Sequence, residues 1–210
     1  LEDVGLIIFD EFHERSLHAD LALALCLDLC QLREDLRLLV MSATLDTAPI
    51  AQLLGGVPVI VGEGRPFAVT CQYLDRPPQG RISTVTAPGV RRMVQQHQGD
   101  LLVFLPGSGE IRETMQLLIE DPVTADCLIL PLYGDLSPRE QDRAILPDPR
   151  GRRRIILATS IAETSLTIEG IRLVVDSGLE RSAQFDPRSG LTRLVTQRIS
   201  QASMTQRAGR

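Results

Sequence analysis

The stretch Leu6-Ile7-Ile8-Phe9-Asp10-Glu11 decides the fold of this chain, because a continuous apolar run stops at two adjacent carboxylates. A short, uninterrupted apolar run is typical of a strand buried in a parallel sheet. Nucleotide-hydrolysing enzymes present carboxylates after such strands, where the first holds Mg²⁺ and the second accepts a proton from water. For the dipeptide alone, the alternative is a strand that happens to end in acids at a solvated loop.

Outward from this stretch, apolar runs alternate with helical stretches, which predicts an α/β fold with parallel sheets flanked by helices. Strands are predicted at residues 4–9, 36–41, 57–61, 68–74, 101–105, 127–131, 154–158 and 173–175. Helices are predicted at 19–32, at 83–98, from a cap at Ser108 to residue 120, after Ser137-Pro138 and at 201–207, with a hairpin over 185–199. Gly and Pro cluster at 62–66, so we expect a linker at 63–66 between domains at 1–62 and 67–210.

The basic residues limit what this chain can do alone, because all 22 are arginine and a phosphate-binding loop requires lysine. The first residue is Leu1, so we expect an excised chain whose first domain is truncated at its amino end. The net charge of −5 argues against a simple basic surface. Residues 1–62 hold ten acids and three arginines, whereas residues 181–210 hold six arginines and one acid, which permits a local phosphate-facing surface.

Neither a membrane span, a secretory signal nor a zinc site is predicted. No apolar run approaches the length of a transmembrane helix. The four cysteines form no Cys-x-x-Cys pair, and such pairs are the common signature of structural zinc sites. We therefore expect a cytoplasmic protein whose cysteines are reduced.

Several segments in a fixed order resemble the motifs of the DEAH-box helicases. Asp10-Glu11-Phe12-His13-Glu14-Arg15-Ser16 resembles motif II, with Phe12 in place of the usual alanine. The other matches are Ser42-Ala43-Thr44 to motif III, Phe104-Leu105-Pro106-Gly107 to motif IV, residues 133–137 with Gln141 to a segment typical of the family, residues 158–168 to motif V and residues 206–210 to the start of motif VI. The resemblance spans essentially the whole chain and implies two RecA-like lobes that bind ATP and Mg²⁺.

The resemblance also implies roles for residues of the first domain. Asp10 would bind Mg²⁺, with Glu11 as the second residue of the metal site, and Glu11 would also orient or deprotonate the attacking water. His13 would couple the nucleotide site to the second lobe, although a purely structural histidine is the alternative. Ser42 and Thr44 would link hydrolysis to lobe movement through their hydroxyl groups.

In the second domain, the resemblance implies contacts to both nucleotide and nucleic acid. Ser165 matches a position that senses the terminal phosphate, and Thr167 and Glu169 match positions near the ribose. Relatives often carry Asp where this chain has Glu169. Gly107 and Thr159 match contacts to the nucleic-acid backbone.

The arginines near the carboxyl end have distinct predicted roles. Gln206 is suited to holding the attacking water, and Arg210 is suited to neutralising charge on the transferred phosphoryl group, as an arginine finger does. Arg207 is expected to be structural or to pair with an acid. The basic run 150–154 could be a nucleic-acid patch, but its place between a helix and a strand, with several prolines nearby, favours a solvated loop.

These observations favour an ATP-dependent helicase or translocase on a single strand, which by resemblance is RNA. Without a phosphate loop, the 210-residue chain should not hydrolyse ATP alone. The alternative is a non-catalytic nucleic-acid-binding scaffold with a helicase fold. A dehydrogenase is rejected, because the candidate Gly62-x-Gly64 leads into Arg65-Pro66 and not into a helix.

Overall fold

The computed structural model describes residues 3–42, 47–62, 68–75, 78–163 and 166–210. The chain divides into two compact units, of which the first comprises residues 1–66 and the second residues 67–210. The predicted linker at 63–66 lies outside the described residues. Each unit is considered by itself below.

The first unit is built on two parallel strands. Strands β1 (Leu6–Phe9) and β2 (Arg37–Val40) pair from Leu6 opposite Arg37 to Phe9 opposite Val40. Helix α1 (Leu17–Leu32) connects them, as a parallel crossover requires. Its first turn is capped by Ser16, whose hydroxyl accepts a hydrogen bond from the Ala19 N–H at 3.1 Å. Helix α2 (Thr47–Leu53) follows β2.

The second unit contains a four-stranded parallel sheet in the order β4-β5-β3-β6. Its strands are β3 (Asp100–Phe104), β4 (Leu128–Leu132), β5 (Arg154–Ala158) and β6 (Ile171–Asp176). Its helices are α3 (Ile82–Gln96), α4 (Ser108–Ile119) and α5 (Pro138–Ile145). A hairpin of β7 (Leu179–Asp186) and β8 (Leu191–Arg198), and then α6 (Gln201–Ala208), complete the unit.

The core of the second unit has one layer on each face of the sheet. Because side chains alternate along a strand, Leu101 and Val103 face the layer of α3 and α4, whereas Leu102 and Phe104 face the layer of α5. Strand β5 is buried along its whole length. The predicted α/β fold with parallel sheets flanked by helices is therefore confirmed.

Two predicted strands, at 57–61 and 68–74, are wrong. Both segments lack regular structure, and the described residues offer neither of them a strand to pair with. Pro58 has no N–H to give to a ladder, and Ile60 is 94% exposed. β-prone side chains alone do not make a strand when no neighbouring strand accepts their hydrogen bonds.

The other predicted elements are present, with boundaries shifted by a few residues. The predicted cap of α4 is wrong, because Gly107 and not Ser108 occupies the N-cap position. Gly107 has an extended backbone, and Ser108 is the first residue of the helix. The hairpin is confirmed, and Ser137 with Pro138 opens α5 through a capping box closed by Glu140. None of the described helices has the length and apolarity that crossing a bilayer requires.

Candidate functional site

In the first unit, Asp10 and Glu11 follow β1 at the carboxyl edge of the sheet. The Glu11 backbone N–H donates to Asp10 Oδ1 at 2.8 Å, which fixes one oxygen of the Asp10 carboxylate. Glu11 itself adopts a left-handed backbone conformation with φ of 50°. A non-glycine residue rarely adopts this conformation, and such residues cluster at functional sites. The backbone therefore turns sharply where the two carboxylates are presented.

His13 lies against Glu11 within this turn. The His13 Nε2 atom is 3.3 Å from Glu11 Oε2, and the side chain of His13 is only 5% exposed, against 38% for that of Glu11. The buried imidazole thus holds one carboxylate oxygen, while the carboxylate stays open to solvent. The structure brings Asp10, Glu11 and His13 together in one short segment.

Phe12 joins this turn to the end of β2. Its N–H donates to the Met41 carbonyl at 3.1 Å, and the Met41 N–H donates to Phe9 at 2.8 Å. The buried Phe12 ring meets Phe9 edge to face, with 6.2 Å between the centroids. Since Ser42 follows Met41, the predicted coupling hydroxyl is brought to the same edge as the acidic turn. Thr44 lies outside the described residues.

In the second unit, Gly107 and Thr159 lie beyond the carboxyl ends of the adjacent strands β3 and β5. A Cβ at Gly107 would stand 2.5 Å from Nη1 of Arg181, so any larger residue here requires that guanidinium to move. Arg181 in turn donates to Glu110 Oε1 at 2.9 Å. The sequence did not single out Arg181 or Glu110, because their contact joins residues 71 positions apart.

Arg207 forms a buried ionic cluster at the same edge. The residue is 1% exposed. Its Nε donates to Glu163 at 2.8 Å and its Nη1 donates to Asp176 at 3.1 Å, while its guanidinium lies 4.8 Å from the Phe104 ring centroid. The expectation that Arg207 pairs with an acid is confirmed. Glu163 and Asp176 were not predicted as partners, although Glu163 lies within the segment matched to motif V and Asp176 directly follows the predicted strand at 173–175.

Arg210 is anchored beside Glu163. Its Nε donates to the Glu163 carbonyl at 2.9 Å, its Nη2 donates to the same carbonyl, and its Nη1 donates to the Leu166 carbonyl at 3.1 Å. Gln206 lies on α6, one position before the buried Arg207. The structure therefore brings Arg210 to the carbonyls of Glu163 and Leu166, whereas Ser165 lies outside the described residues.

Thr167 and Glu169 are both exposed, and the Glu169 backbone lies at the opposite edge of the sheet. The Glu169 carbonyl accepts a hydrogen bond from Arg154, the first residue of β5. This contact places Glu169 near the amino ends of the strands, away from Gly107 and Thr159. The structure thus does not bring Glu169 together with the residues at the carboxyl edge.

The solvated-loop interpretation of the run 150–154 is wrong for its last residue. Arg152 is exposed and pairs with Asp148 at 3.0 Å, and this bond lowers the pKa of Asp148 to about 2. Arg154, however, is 1% exposed and donates to Asp100 at 2.7 Å. Charge patterning along the sequence could not separate the two arginines. The register of β5 against β3 does, because it places Arg154 beside Asp100 at the amino edge.

Comparison with known proteins agrees with this architecture. Residues 88–210 match the family model described as helicase conserved C-terminal domain. The chain is 58% identical to the ATP-dependent RNA helicase HrpB of Escherichia coli strain K12 over 211 residues, which is 100% of this chain and 26% of HrpB. It is 39% identical over 219 residues to the chloroplastic ATP-dependent RNA helicase DEAH12 of Arabidopsis thaliana, covering 100% of this chain and 12% of that protein.

Solved structures give the same result. The crystal structure of the E. coli DExH-box NTPase HrpB matches with a TM-score of 0.88 at 58% identity, covering 98% of this chain and 26% of that chain. A second crystal structure, of the E. coli DEAH/RHA helicase HrpB, matches with a TM-score of 0.87 at 56% identity, covering 100% and 27%. The chain thus spans about a quarter of the length of HrpB. It belongs to the DEAH-box helicase family, and residues 88–210 are its conserved helicase C-terminal domain.

Proposed function

We propose that the protein containing this chain hydrolyses ATP to move along single-stranded RNA. The observation that carries the proposal is the acidic turn after β1, where Asp10 and Glu11 stand at the edge of a parallel sheet in a chain of the helicase family. Two relatives named ATP-dependent RNA helicases, which align over the whole chain, support the choice of substrates.

The acidic turn has the donor set that Mg²⁺ requires. Mg²⁺ in proteins is held by one or two carboxylates, with water and substrate phosphates as the remaining ligands. Asp10 and Glu11 supply two carboxylates at one edge, and within the described residues no larger cluster of metal-binding side chains competes for the ion. We assign Asp10 as the ligand, with Glu11 next to it. When bound, Mg²⁺ supplies positive charge that stabilises the transferred phosphoryl group.

Glu11 is the base or orienting group for the attacking water in this proposal. The Glu11 carboxylate is accessible to solvent, and the buried His13 side chain lies 3.3 Å from one of its oxygens. The contact to His13 fixes that oxygen, while the other stays open to water. His13 touches Glu11 directly, and the Phe12 N–H ties the same turn to the segment that leads to Ser42. A change at the nucleotide could therefore pass from Glu11 through this segment to Ser42 and Thr44.

The second unit supplies the groups that respond to the terminal phosphate. Gln206 is assigned to the attacking water and Arg210 to the negative charge of the transferred phosphoryl group. Ser165 is assigned to the terminal phosphate, and Thr167 to the ribose. Glu169 is not assigned to the ribose, because its backbone lies at the amino edge of the sheet, away from these residues.

In this proposal, the protein binds the RNA strand mainly through its phosphate groups. Gly107 and Thr159 lie at the carboxyl edge of one sheet, where backbone groups can approach a phosphate chain. Aromatic residues make up only 3% of the chain, so stacking platforms for bases contribute little. Binding should therefore weaken steeply as salt is raised, as it does when phosphate contacts dominate.

We further propose that residues 1–62 and 67–210 belong to two RecA-like lobes joined by a linker at 63–66. A phosphate-binding loop requires lysine, and this chain has none. We therefore assign the loop to another part of the same protein. The cytoplasm, where ATP and RNA are both present, is the location that fits this activity.

ATP turnover by the full-length protein, with and without single-stranded RNA, tests the proposal. Turnover should be stimulated by RNA, and Glu11→Gln should lower kcat by about 10²- to 10⁴-fold while RNA binding is kept. Glu34→Gln, which changes an exposed carboxylate between α1 and β2, is the matched control and should behave as the parent does. A parent protein that binds RNA but hydrolyses no ATP would instead identify the scaffold alternative.

A further inference from the structure

The ionic cluster around Arg207 contains more negative than positive charge. Three carboxylate groups lie within 4.0 Å of its guanidinium, namely those of Glu163, Asp176 and Glu180. Arg207 also donates to the Leu179 carbonyl at 3.3 Å. A guanidinium this deeply buried is stable only when its donors are matched, and removing one partner of such a pair is strongly destabilising.

Glu163 is the member of this cluster that reaches two arginines. Its carboxylate accepts from Arg207, and its backbone carbonyl accepts from Nε and Nη2 of Arg210. Arg207 lies within α6 and Arg210 lies just beyond its end, and the first contacts the side chain of Glu163 while the second contacts its backbone. Arg207 therefore fixes Glu163 through its side chain, and the backbone carbonyl that this fixes in place accepts from Arg210.

The cluster also holds the helix that carries Gln206. Arg207 is adjacent to Gln206 on α6, and its contacts to Asp176 and Leu179 tie this helix to the end of β6 and the start of β7. The Phe104 ring at the end of β3 supports the guanidinium from the layer of α5. Three segments that are distant in sequence, at residues 104, 163 and 176–180, thus converge on one side chain.

We propose that Glu163 and Arg207 are positioning residues, which set the Arg210 guanidinium without touching the nucleotide themselves. The inference rests on the proposed function, in which Arg210 neutralises charge on the transferred phosphoryl group. It adds that motif V, through Glu163, determines whether that neutralising group is correctly placed. A displacement of about 1 Å at a reacting centre can lower the rate by roughly 10²-fold, so a residue that only positions can matter as much as a contacting one.

A double-variant cycle in the full-length protein tests the proposal. The variants are Glu163→Ala, Arg210→Ala and the pair combined, with kcat, KM for ATP and affinity for single-stranded RNA measured for each. Glu163→Ala keeps the backbone carbonyl that accepts from Arg210 but removes the side chain that Arg207 holds, so the carbonyl is free to shift. This variant should lower kcat by about 10²-fold, with KM and RNA affinity changed by less than about threefold. In the Arg210→Ala background, the same substitution should lower kcat by less than about threefold, because the group that it positions is gone.

Two further variants separate positioning from folding. Glu163→Gln keeps an acceptor for Arg207 and should lower kcat by no more than about tenfold, which also allows the cycle to be run if Glu163→Ala does not fold. Asp148→Asn breaks another arginine pair of the same unit, at the amino edge, and should leave kcat within about twofold of the parent.

The outcomes distinguish this inference from the proposed function. If the parent shows no RNA-stimulated turnover, the proposed function fails and this inference falls with it. If the parent is active but the losses caused by Glu163 and Arg210 variants multiply, Glu163 does not act through Arg210 and only the inference is overturned. Equal losses of kcat and RNA affinity in Glu163→Ala would overturn it as well, because they indicate a general structural defect.

Discussion

Replacing Arg154 by Met should destabilise the second unit far more than replacing Arg152 by Met. The two arginines are two positions apart in one basic run, yet Arg154 is buried and Arg152 is exposed. Met keeps a flexible, unbranched apolar stem but has no guanidinium, so the substitution removes the hydrogen bonds and the charge together with the end of the side chain. The difference in stability between the two variants therefore measures how much burial increases the contribution of an arginine–aspartate pair.

The expected magnitude follows from the bonds that Arg154 makes. It donates to Asp100 at 2.7 Å and to the carbonyls of residues 144, 145 and 146 at 3.2, 3.1 and 2.6 Å, and it also donates to the carbonyl of Glu169. Removing one partner of a buried ion pair costs about 3–5 kcal/mol, because the remaining charge is left without a partner. We expect this range for Arg154→Met, since Asp100 and the carbonyls at this edge then lose their shared donor.

Hydrogen exchange measured on the full-length protein reports this effect within the second unit alone. At about 1.4 kcal/mol for each factor of ten, a loss of about 3–5 kcal/mol lowers the protection of the most stable amides of β3 and β5 by about two to three and a half orders of magnitude. Arg152→Met should leave the same amides within about threefold of the parent, because exposed pairs contribute little. Equal protection in the two variants would refute the assignment of Arg154 as a structural ion-pair centre.

Three further predictions concern other parts of the chain. Gly107→Ala should displace the Arg181 guanidinium, whose Nη1 lies 2.5 Å from where the new Cβ would stand, and break its pair with Glu110; because a partly exposed pair contributes little, chemical denaturation should show a loss below about 1 kcal/mol. Arg152→Met should raise the pKa of Asp148 from about 2 toward its ordinary value, as carboxyl NMR titration would report. Because that pKa is lowered by folding, the contribution of Asp148 to stability should be present above about pH 4 and lost as the pH falls through about 2, which acid unfolding of the parent and of Asp148→Asn would measure. The purified 210-residue chain should release no phosphate from ATP with or without RNA, in a colorimetric assay that detects turnover by the full-length protein.

The sequence was most informative where the relevant chemistry is local. An apolar run ending in Asp10 and Glu11 predicts both a strand and the edge at which its carboxylates appear, and β1 confirms the strand. Capping signals such as Ser137 followed by Pro138 predict the start of α5 for the same reason, since the partners lie within one turn. These predictions depend on nearest neighbours, which the sequence shows directly.

The sequence was least informative where one strand must meet another. Residues 57–61 are as β-prone as many true strands, but whether they pair depends on a partner elsewhere in the chain. The burial of Arg154 depends on Asp100, which is 54 residues away and becomes its neighbour only through the pairing of β5 with β3. The link from Glu163 to Arg207 spans 44 residues in the same way. Composition and charge patterning contain no information about such registers.

At two buried positions, one at each edge of the four-stranded sheet, the structure explains why the basic residue is arginine and not lysine. Arg154 at the amino edge donates to a carboxylate and to four backbone carbonyls, and Arg207 at the carboxyl edge donates to two carboxylates and a carbonyl. Only a planar guanidinium with five donors can reach acceptors spread so widely, whereas an ammonium group presents three donors from a single nitrogen. Lysine at either position would leave buried carbonyls and carboxylates unsatisfied. The two buried arginines are therefore constrained by geometry as well as by charge, and the one at the carboxyl edge adjoins the residues that we assign to ATP hydrolysis.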